Sequence, residues 1–369
     1  KFDETEAQRL ASGAIGTLHK SIRVTHSRIA SRFPEAVWHA EAPLFRTALV
    51  PLLELSALVR ESGIKVILTG EGADELFLGY DIFKEALLRS RWRDLSDAER
   101  REAVGRLYPY IEHFSAANIP ALVAYITNIG GDPSAPLFSH DLRFSNGLLS
   151  LRLLKEPTNC ARSILQYATE AGVDLTGMNL VDRTTWLEVA TLLHGYLLSS
   201  QGDRMALANS VENRCPFLDF RLANFAWSLP IDYRLRDGMD EKWVLKRAFE
   251  GIIPSAITTR HKTPFRAPDA ASLVAAKPDY LARLLQTNRY SAVGILDAKF
   301  CESLVRKVMN GPLGNISPRE DQAFLLLVST LLLHEQFVLG QGDFGRRVRR
   351  PKVTVAHVES GRAFRGRMQ

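Results

Sequence analysis

Apolar residues recur at three- and four-residue intervals through 29–38 and 49–59, the pattern of helices with one buried face. The stretch 4–14 is more charged but keeps a helical character, whereas Ser21-Ile-Arg-Val-Thr25 alternates as a strand does. Gly63 stands where the helix over 49–59 must end. The period then changes. Ile64-Lys-Val-Ile-Leu68 is a short run rich in β-branched residues and predicts a strand buried on both faces of a parallel sheet. Thr69-Gly-Glu-Gly-Ala-Asp-Glu-Leu-Phe-Leu-Gly-Tyr80 follows it directly. Gly70 and Gly72 predict a turn, and the acidic-then-apolar run from Asp74 predicts the opening of a helix. This αβααβ order is that of a parallel sheet covered by helices, so the fold class is α/β. Two strands alone make no stable core, and further strands are expected before residue 1.

From Asp81 to about Thr176 the pattern is helical, broken by the loop Gly130-Gly-Asp-Pro-Ser134. No strand precedes that loop, which argues against a phosphate-binding turn. Trp186, Ala190, Leu193 and Leu197 share one face of a predicted helix over 186–198, with Asp182 as its N-cap. Pro216 ends regular structure, and Asp219 is placed to cap a helix over 220–229. Lys242-Trp-Val-Leu-Lys-Arg-Ala-Phe249 reads as a basic amphipathic helix that breaks at Gly251 and Pro254. Further helices are expected over 278–285, 299–308 and 321–338. The division that results is a nucleotide-binding α/β remainder over 1–80, a helical part over 81–345, and a basic, loosely ordered tail over 346–369.

The chemistry gathers at the end of the first apolar strand. A strand, a glycine turn and a helix N-terminus form a ligand site at the carboxyl edge of a parallel sheet. Glu71, Asp74 and Glu75 fall within five residues there. A helix cap accounts for Asp74 or Glu75. It does not account for Glu71, set between two glycines, which suits a hard metal ion or proton transfer.

Composition narrows the rest. Apolar content of 46% and charged content of 24% are ordinary for a globular chain of 369 residues. The net charge of +6 lies wholly in the residues from Gln341 onward, so no basic face for nucleic acid belongs to the body. Cys160, Cys215 and Cys301 form no CxxC pair, which argues against a zinc site or disulfide framework and for a reducing, cytoplasmic setting. The longest apolar segment, 324–333, is too short to span a bilayer.

Three ordered motifs resemble one family. Thr69 to Tyr80 is similar to the Ser/Thr-Gly-Glu-Gly-x-Asp-Glu-x-Phe-x-Gly-Tyr signature of asparagine synthetases, with Leu78 where a small residue is common. Asp203-Arg204 followed by Ser210-Val-Glu-Asn-Arg-Cys-Pro-Phe-Leu-Asp219 resembles the second signature, with Cys215 at a variable apolar position. Thr259-Arg-His-Lys-Thr-Pro-Phe265 resembles the Arg-x-Lys-x-x-Phe element.

The resemblance implies an ATP-pyrophosphatase core of the adenine-nucleotide alpha-hydrolase type, incomplete at its N-terminus, with a large helical lobe. It implies ATP and Mg²⁺, a carboxylate substrate (aspartate foremost) and ammonia. The carboxylate would be adenylated with loss of pyrophosphate, and ammonia would then displace AMP to give an amide. In this reading Asp74 holds Mg²⁺ and Lys262 stabilises charge on the α-phosphate. Thr69, Gly70 and Gly72 approach the nucleotide, Arg214 is structural or faces phosphate, and Glu71 is the base. A Ser-Gly-Gly-x-Asp-Ser loop and a glutaminase domain are expected upstream of Lys1. Two alternatives stay open: a related lactam- or amide-forming synthetase with another substrate, and a non-catalytic scaffold.

Overall fold

In the computed structural model residues 4–107, 118–260, 267–312 and 316–345 are described. Three helices, α1 (Thr5–Ile15), α2 (His26–Ala40) and α3 (Leu49–Glu61), precede strand β1 (Val66–Leu68), the short α4 (Ala73–Leu76) and α5 (Asp81–Ser90). The chain continues through α6 (Asp97–Leu107), α7 (Ile119–Ile129), α8 (Asp141–Leu151), α9 (Cys160–Glu170) and α10 (Leu180–Glu188). A π-helical stretch, Val189–Asp203, leads into α11 (Arg204–Ala208) and β2 (Glu212–Arg214). Next come α12 (Phe220–Ser228), α13 (Ile231–Arg234), a hairpin of β3 (Leu235–Arg236) and β4 (Asp240–Glu241), and α14 (Trp243–Ala248). The remainder is α15 (Ser255–Thr258), α16 (Asp269–Ala276), α17 (Asp279–Leu284), α18 (Thr287–Val293), α19 (Ala298–Asn310), α20 (Pro318–Leu333), a second π stretch His334–Val338, and α21 (Gly342–Gly345).

Several helices begin where a polar side chain takes up a free amide. Thr25 Oγ1 accepts from Arg28 N at the start of α2, and Ser317 and Glu320 make a reciprocal capping box at the start of α20. Gly63 ends α3 with φ at 78°. Asp219 caps α12 as its position predicts, its side chain accepting from Arg221 N. Two expectations fail locally. The residues 21–25 form no strand, because Thr25 is spent on capping α2. Asn179, not Asp182, caps the helix that carries Trp186, and this helix widens to π geometry after Glu188. Before the widening, Leu187 and Glu188 are fully buried while Trp186 is only half-buried.

The main core packs α2 and α3 against α16, α19 and α20, with Phe33, Leu49, Leu53, Phe324 and Val328 fully buried. Two polar side chains inside it, Ser329 and Asp269, are paired. Ser329 Oγ accepts from Leu44 N at 2.7 Å and donates to Leu44 O at 3.0 Å. Asp269 accepts from Thr47 N and its hydroxyl and from Arg46.

The structure is thus mostly helical with small sheets. β1 and β2 pair in parallel, with Val66 opposite Glu212, Ile67 opposite Asn213 and Leu68 opposite Arg214. The pair agrees with a parallel core. The expectation that β1 is buried on both faces does not hold: Val66 is 40% and Leu68 72% exposed. Among the described residues only β2 flanks this strand, so its apolar side chains lack a covering layer. The residues 130–134 form a loop, as their composition suggests. The tail 346–369 lies outside the described residues. Among those described, no helix is long and apolar enough to cross a membrane.

Asp321, which accepts from Ala270 N at 2.6 Å, gives a test of core electrostatics. Burial, with Asp269 adding to it, raises its carboxyl to about 6. The folded protein then holds this proton more tightly than the unfolded chain, so the contribution to stability falls as pH rises from about 4 to about 6. Asp321→Asn keeps the acceptor and removes the charge. It should stabilise the fold by about 1 kcal/mol near pH 7, allowing for solvent screening, and by much less near pH 4. Denaturant unfolding at the two pH values measures this, and destabilisation at pH 7 would contradict it.

Candidate functional site

Parallel pairing brings the ends of two motifs side by side. Thr69 N donates to Arg214 O at 2.9 Å, extending the ladder one step past β1, and Thr69 Oγ1 lies 3.4 Å from Cys215 Sγ. Just beyond, the turn is built around Gly72. Its φ of 90° is left-handed, and a Cβ there would fall 2.2 Å from Leu218 Cδ2. Gly72 is therefore required for the turn to close against the second motif. Gly70 is exposed with open space around it, so its place in the turn carries no such demand. Leu76 and Phe77 pack on Phe217, Leu218 and Ala226, which locks the two motifs together.

The helix predicted from Asp74 exists but spans only Ala73–Leu76, and the chain turns again before α5. That second turn puts Leu78 in the left-handed region, at φ 56°, with its side chain fully buried among Phe83, Val181 and Leu235. A non-glycine residue held there is strained, and burial of the leucine offsets the strain. Gly79 follows, and space is the reason for it. A Cβ on Gly79 would lie 2.0 Å from Asp74 Oδ1 and 2.3 Å from Lys242 Cε.

Those two atoms belong to the central ion pair of the site. Lys242 Nζ sits 2.7 Å from Asp74 Oδ1, both side chains mostly shielded from water. Lys242 is delivered by the β3–β4 hairpin. Its backbone is left-handed at φ 54°, and its N–H donates to Phe77 O at 3.1 Å. This role is not anticipated above, where Lys242 reads only as the first residue of a basic helix. The run Asp237-Gly-Met-Asp-Glu-Lys242, read as a hairpin, is the signal that could have placed it.

The three carboxylates have separate environments. Glu75 is 1% exposed and accepts from the Tyr80 hydroxyl at 2.9 Å. Burial pushes its carboxyl up to about 7, against the lowering by its own backbone amide and by Tyr80. Glu75 is thus withdrawn from the surface of the site. Asp74 faces Lys242, and Glu71 is half-buried in the glycine turn. Behind Glu75 stands a second buried acid, Glu188, whose Oε1 is 2.9 Å from His140 Nε2 and 2.6 Å from Arg143. Burial would raise Glu188, but His140 and Arg143 together hold it below the usual carboxylate range.

Arg214 ends β2 with its side chain 61% exposed and paired to Glu212 at 2.6 Å. It stands at the carboxyl edge beside Thr69. Arg204, of the Asp203-Arg204 pair, reaches Glu41 at 2.8 Å. The structure therefore gathers Thr69, Gly70, Glu71, Gly72, Asp74 and Arg214 at one edge. Lys262 lies outside the described residues.

Among the described residues no group of three His, Cys, Asp or Glu side chains is placed to hold a metal ion. Asp74 supplies one carboxylate. This fits Mg²⁺ that arrives bound to a nucleotide's phosphates and takes one or two protein carboxylates, not a closed protein cage.

The asparagine synthase family profile matches residues 1–332. The chain belongs to the asparagine synthase family. It is similar to the glutamine-hydrolysing asparagine synthetase 1 of Bacillus subtilis, 27% identical over 297 residues, which is 79% of this chain and 44% of that protein. A putative asparagine synthetase of Mycobacterium bovis is 29% identical over 272 residues, covering 72% of this chain and 39% of the relative. Amidase chyE of Penicillium rubens is 26% identical over 290 residues, 72% of this chain and 41% of the amidase. The chain spans less than half the length of these relatives. In this family member, the first and second signatures are the two motifs joined by the β1–β2 pairing.

The glycines separate by environment. Gly79→Ala and Gly72→Ala should each destabilise the fold by about 1–3 kcal/mol, because backbone-bound carbon enters filled space. Gly70→Ala should stay within about 0.5 kcal/mol of the parent. Urea midpoints of the three variants provide the comparison, and equal midpoints would mean the turn is not packed as described.

Proposed function

We propose that this chain is the synthetase part of an ATP-dependent amide-forming enzyme, which adenylates a carboxylate and then transfers nitrogen to it. The observation that carries the reading is the Asp74–Lys242 pair, enclosed by Gly79 at the carboxyl edge of the parallel strands. A carboxylate is a poor electrophile because its leaving group would be oxide. In the first step a carboxylate oxygen of the substrate attacks the α-phosphorus of ATP, and pyrophosphate departs with the bond electrons. In the second, ammonia attacks the acyl carbon and gives up a proton, and AMP leaves with the oxygen that had attacked phosphorus and the electrons of its bond to carbon, while the other oxygen becomes the amide carbonyl.

The chain's residues divide this work. Thr69 and Gly70 present backbone to the nucleotide at the strand edge, and Gly72 lets the turn close behind it. Lys242 places a positive charge beside Asp74, where negative charge builds up on the departing pyrophosphate. Mg²⁺ bound with ATP supplies further charge neutralisation there, and Asp74 is the residue that would hold it. Lys262 is assigned to the α-phosphate and Arg214 to the phosphate-facing edge. Glu71 sits nearer the acyl end and takes the proton from attacking ammonia. Aspartate is the foremost substrate.

Similarity to amidase chyE favours a second reading with the same chemistry and a different carboxylate. ATP–pyrophosphate exchange against a panel of carboxylates separates the two, since exchange with aspartate alone supports the first.

Asp74 and Glu71 serve different half-reactions in this scheme. In the full-length enzyme, Asp74→Asn should lower pyrophosphate exchange and amide formation together, by about a hundredfold or more. Glu71→Gln should leave exchange near the parent rate and lower amide formation from added ammonia about a hundredfold. Equal loss of both half-reactions in the two variants would remove the division.

A further inference from the structure

The hairpin that delivers Lys242 is fastened to α5 at three places. Leu235 packs on Leu78 and Phe83, and Met239 packs on Leu88 and Trp92. Between them lies an ion pair. Lys84 Nζ of α5 is 2.6 Å from Glu241 Oε2 of β4, and the two side chains are 2% and 1% exposed. Asp81 approaches the same ammonium at 3.4 Å, and Lys246 approaches the other Glu241 oxygen at 3.3 Å. Burial would raise the Glu241 carboxyl, but Lys84 and Lys246 bring it to about 2, so it is ionised throughout the physiological range.

A buried ion pair is weak evidence for stability, because desolvation consumes most of the Coulomb energy. Apolar residues of the same volume would hold the hairpin to α5 about as firmly. What an ion pair adds is direction, since it fixes the distance and orientation of the two backbones it joins. Here those backbones are the ones that matter to the site. α5 continues directly from the signature that ends at Tyr80, and Glu241 is the residue before Lys242. The Lys242 backbone is left-handed, a conformation its own side chain does not favour, so an outside constraint has to maintain it. Its N–H is tied to Phe77 O, one turn from Asp74.

We propose that the buried Lys84–Glu241 pair is a positioning device, which holds the β3–β4 hairpin so that the Lys242 ammonium meets the nucleotide's phosphates beside Asp74. Neither residue touches substrate; both act through Lys242. The proposal rests on the reading that Asp74 and Lys242 form the phosphate end of the site.

A double-mutant cycle in the full-length enzyme tests it. Glu241→Asp keeps the charge and the fold but shortens the reach by one methylene, drawing the hairpin toward α5. ATP affinity is measured by calorimetry and adenylation by pyrophosphate exchange, each in the parent and in a Lys242→Ala background. Glu241→Asp should weaken ATP binding or exchange about tenfold or more in the parent. In the Lys242→Ala background it should change either by less than about twofold, since the residue it positions is gone. Thermal unfolding of all four proteins reports folding separately. Equal losses in both backgrounds would overturn the proposal and leave the pair a general structural contact. No loss in the parent would overturn it as well. If Lys242→Ala alone leaves binding and exchange intact, the phosphate-end reading fails first, and the proposal fails with it for a different, visible reason.

Discussion

The site depends on one short parallel pairing. Three residues of β1 lie against three of β2, and that ladder joins segments that lie far apart in the chain. Without it the glycine turn after Thr69 and the Cys215–Leu218 segment have no reason to meet. With it, Thr69 donates to Arg214, Leu218 closes over Gly72, and Leu76 and Phe77 pack on Phe217. A ladder this short contributes little by itself. The packing that its register permits is what holds the two motifs in place.

From that junction, burial assigns the acids. Glu75 and Asp74 are adjacent in sequence, yet one points inward to Tyr80 and the other outward to Lys242. Withdrawal from water raises the first to about 7, so that it is divided between its charged and neutral forms near neutral pH, whereas the second keeps a cation within hydrogen-bonding distance. Two carboxylates that look alike in the sequence thereby acquire different chemistry. Glu188, set behind them with His140 and Arg143, shows the same rule in the deep interior, where an acid stays ionised only beside a cation.

Lys242 comes from a hairpin that the strand pairing does not reach. Its approach to Asp74 is set by α5, by the apolar anchors Leu235 and Met239, and by the absence of a side chain at Gly79. The site is therefore a convergence of three chain segments, each fixed by different physics: a backbone ladder, an apolar interface, and a buried ion pair.

Much of this was legible from residues alone. Periodicity located α2 and α3, because a helix with one apolar face writes its period into the chain; a capping aspartate located α12, and a β-branched apolar run located the strand before Thr69. The two signatures identified the family and marked Thr69, Gly72, Asp74 and Arg214, residues the structure does bring to one edge. Other features were decided only by tertiary structure. The residues 21–25 alternate like a strand, but capping of α2 uses Thr25 instead. β1 is apolar enough for a buried strand, yet its exposure depends on which elements lie beside it. Asp182 is a good cap by type, but Asn179 is the residue in position. Lys242 is marked locally only by the hairpin that ends on it, and its partner is not, since a lysine's role follows from the charge it meets. Local pattern reports what a segment can form. Long-range packing determines which charges are brought together and which are withdrawn from water.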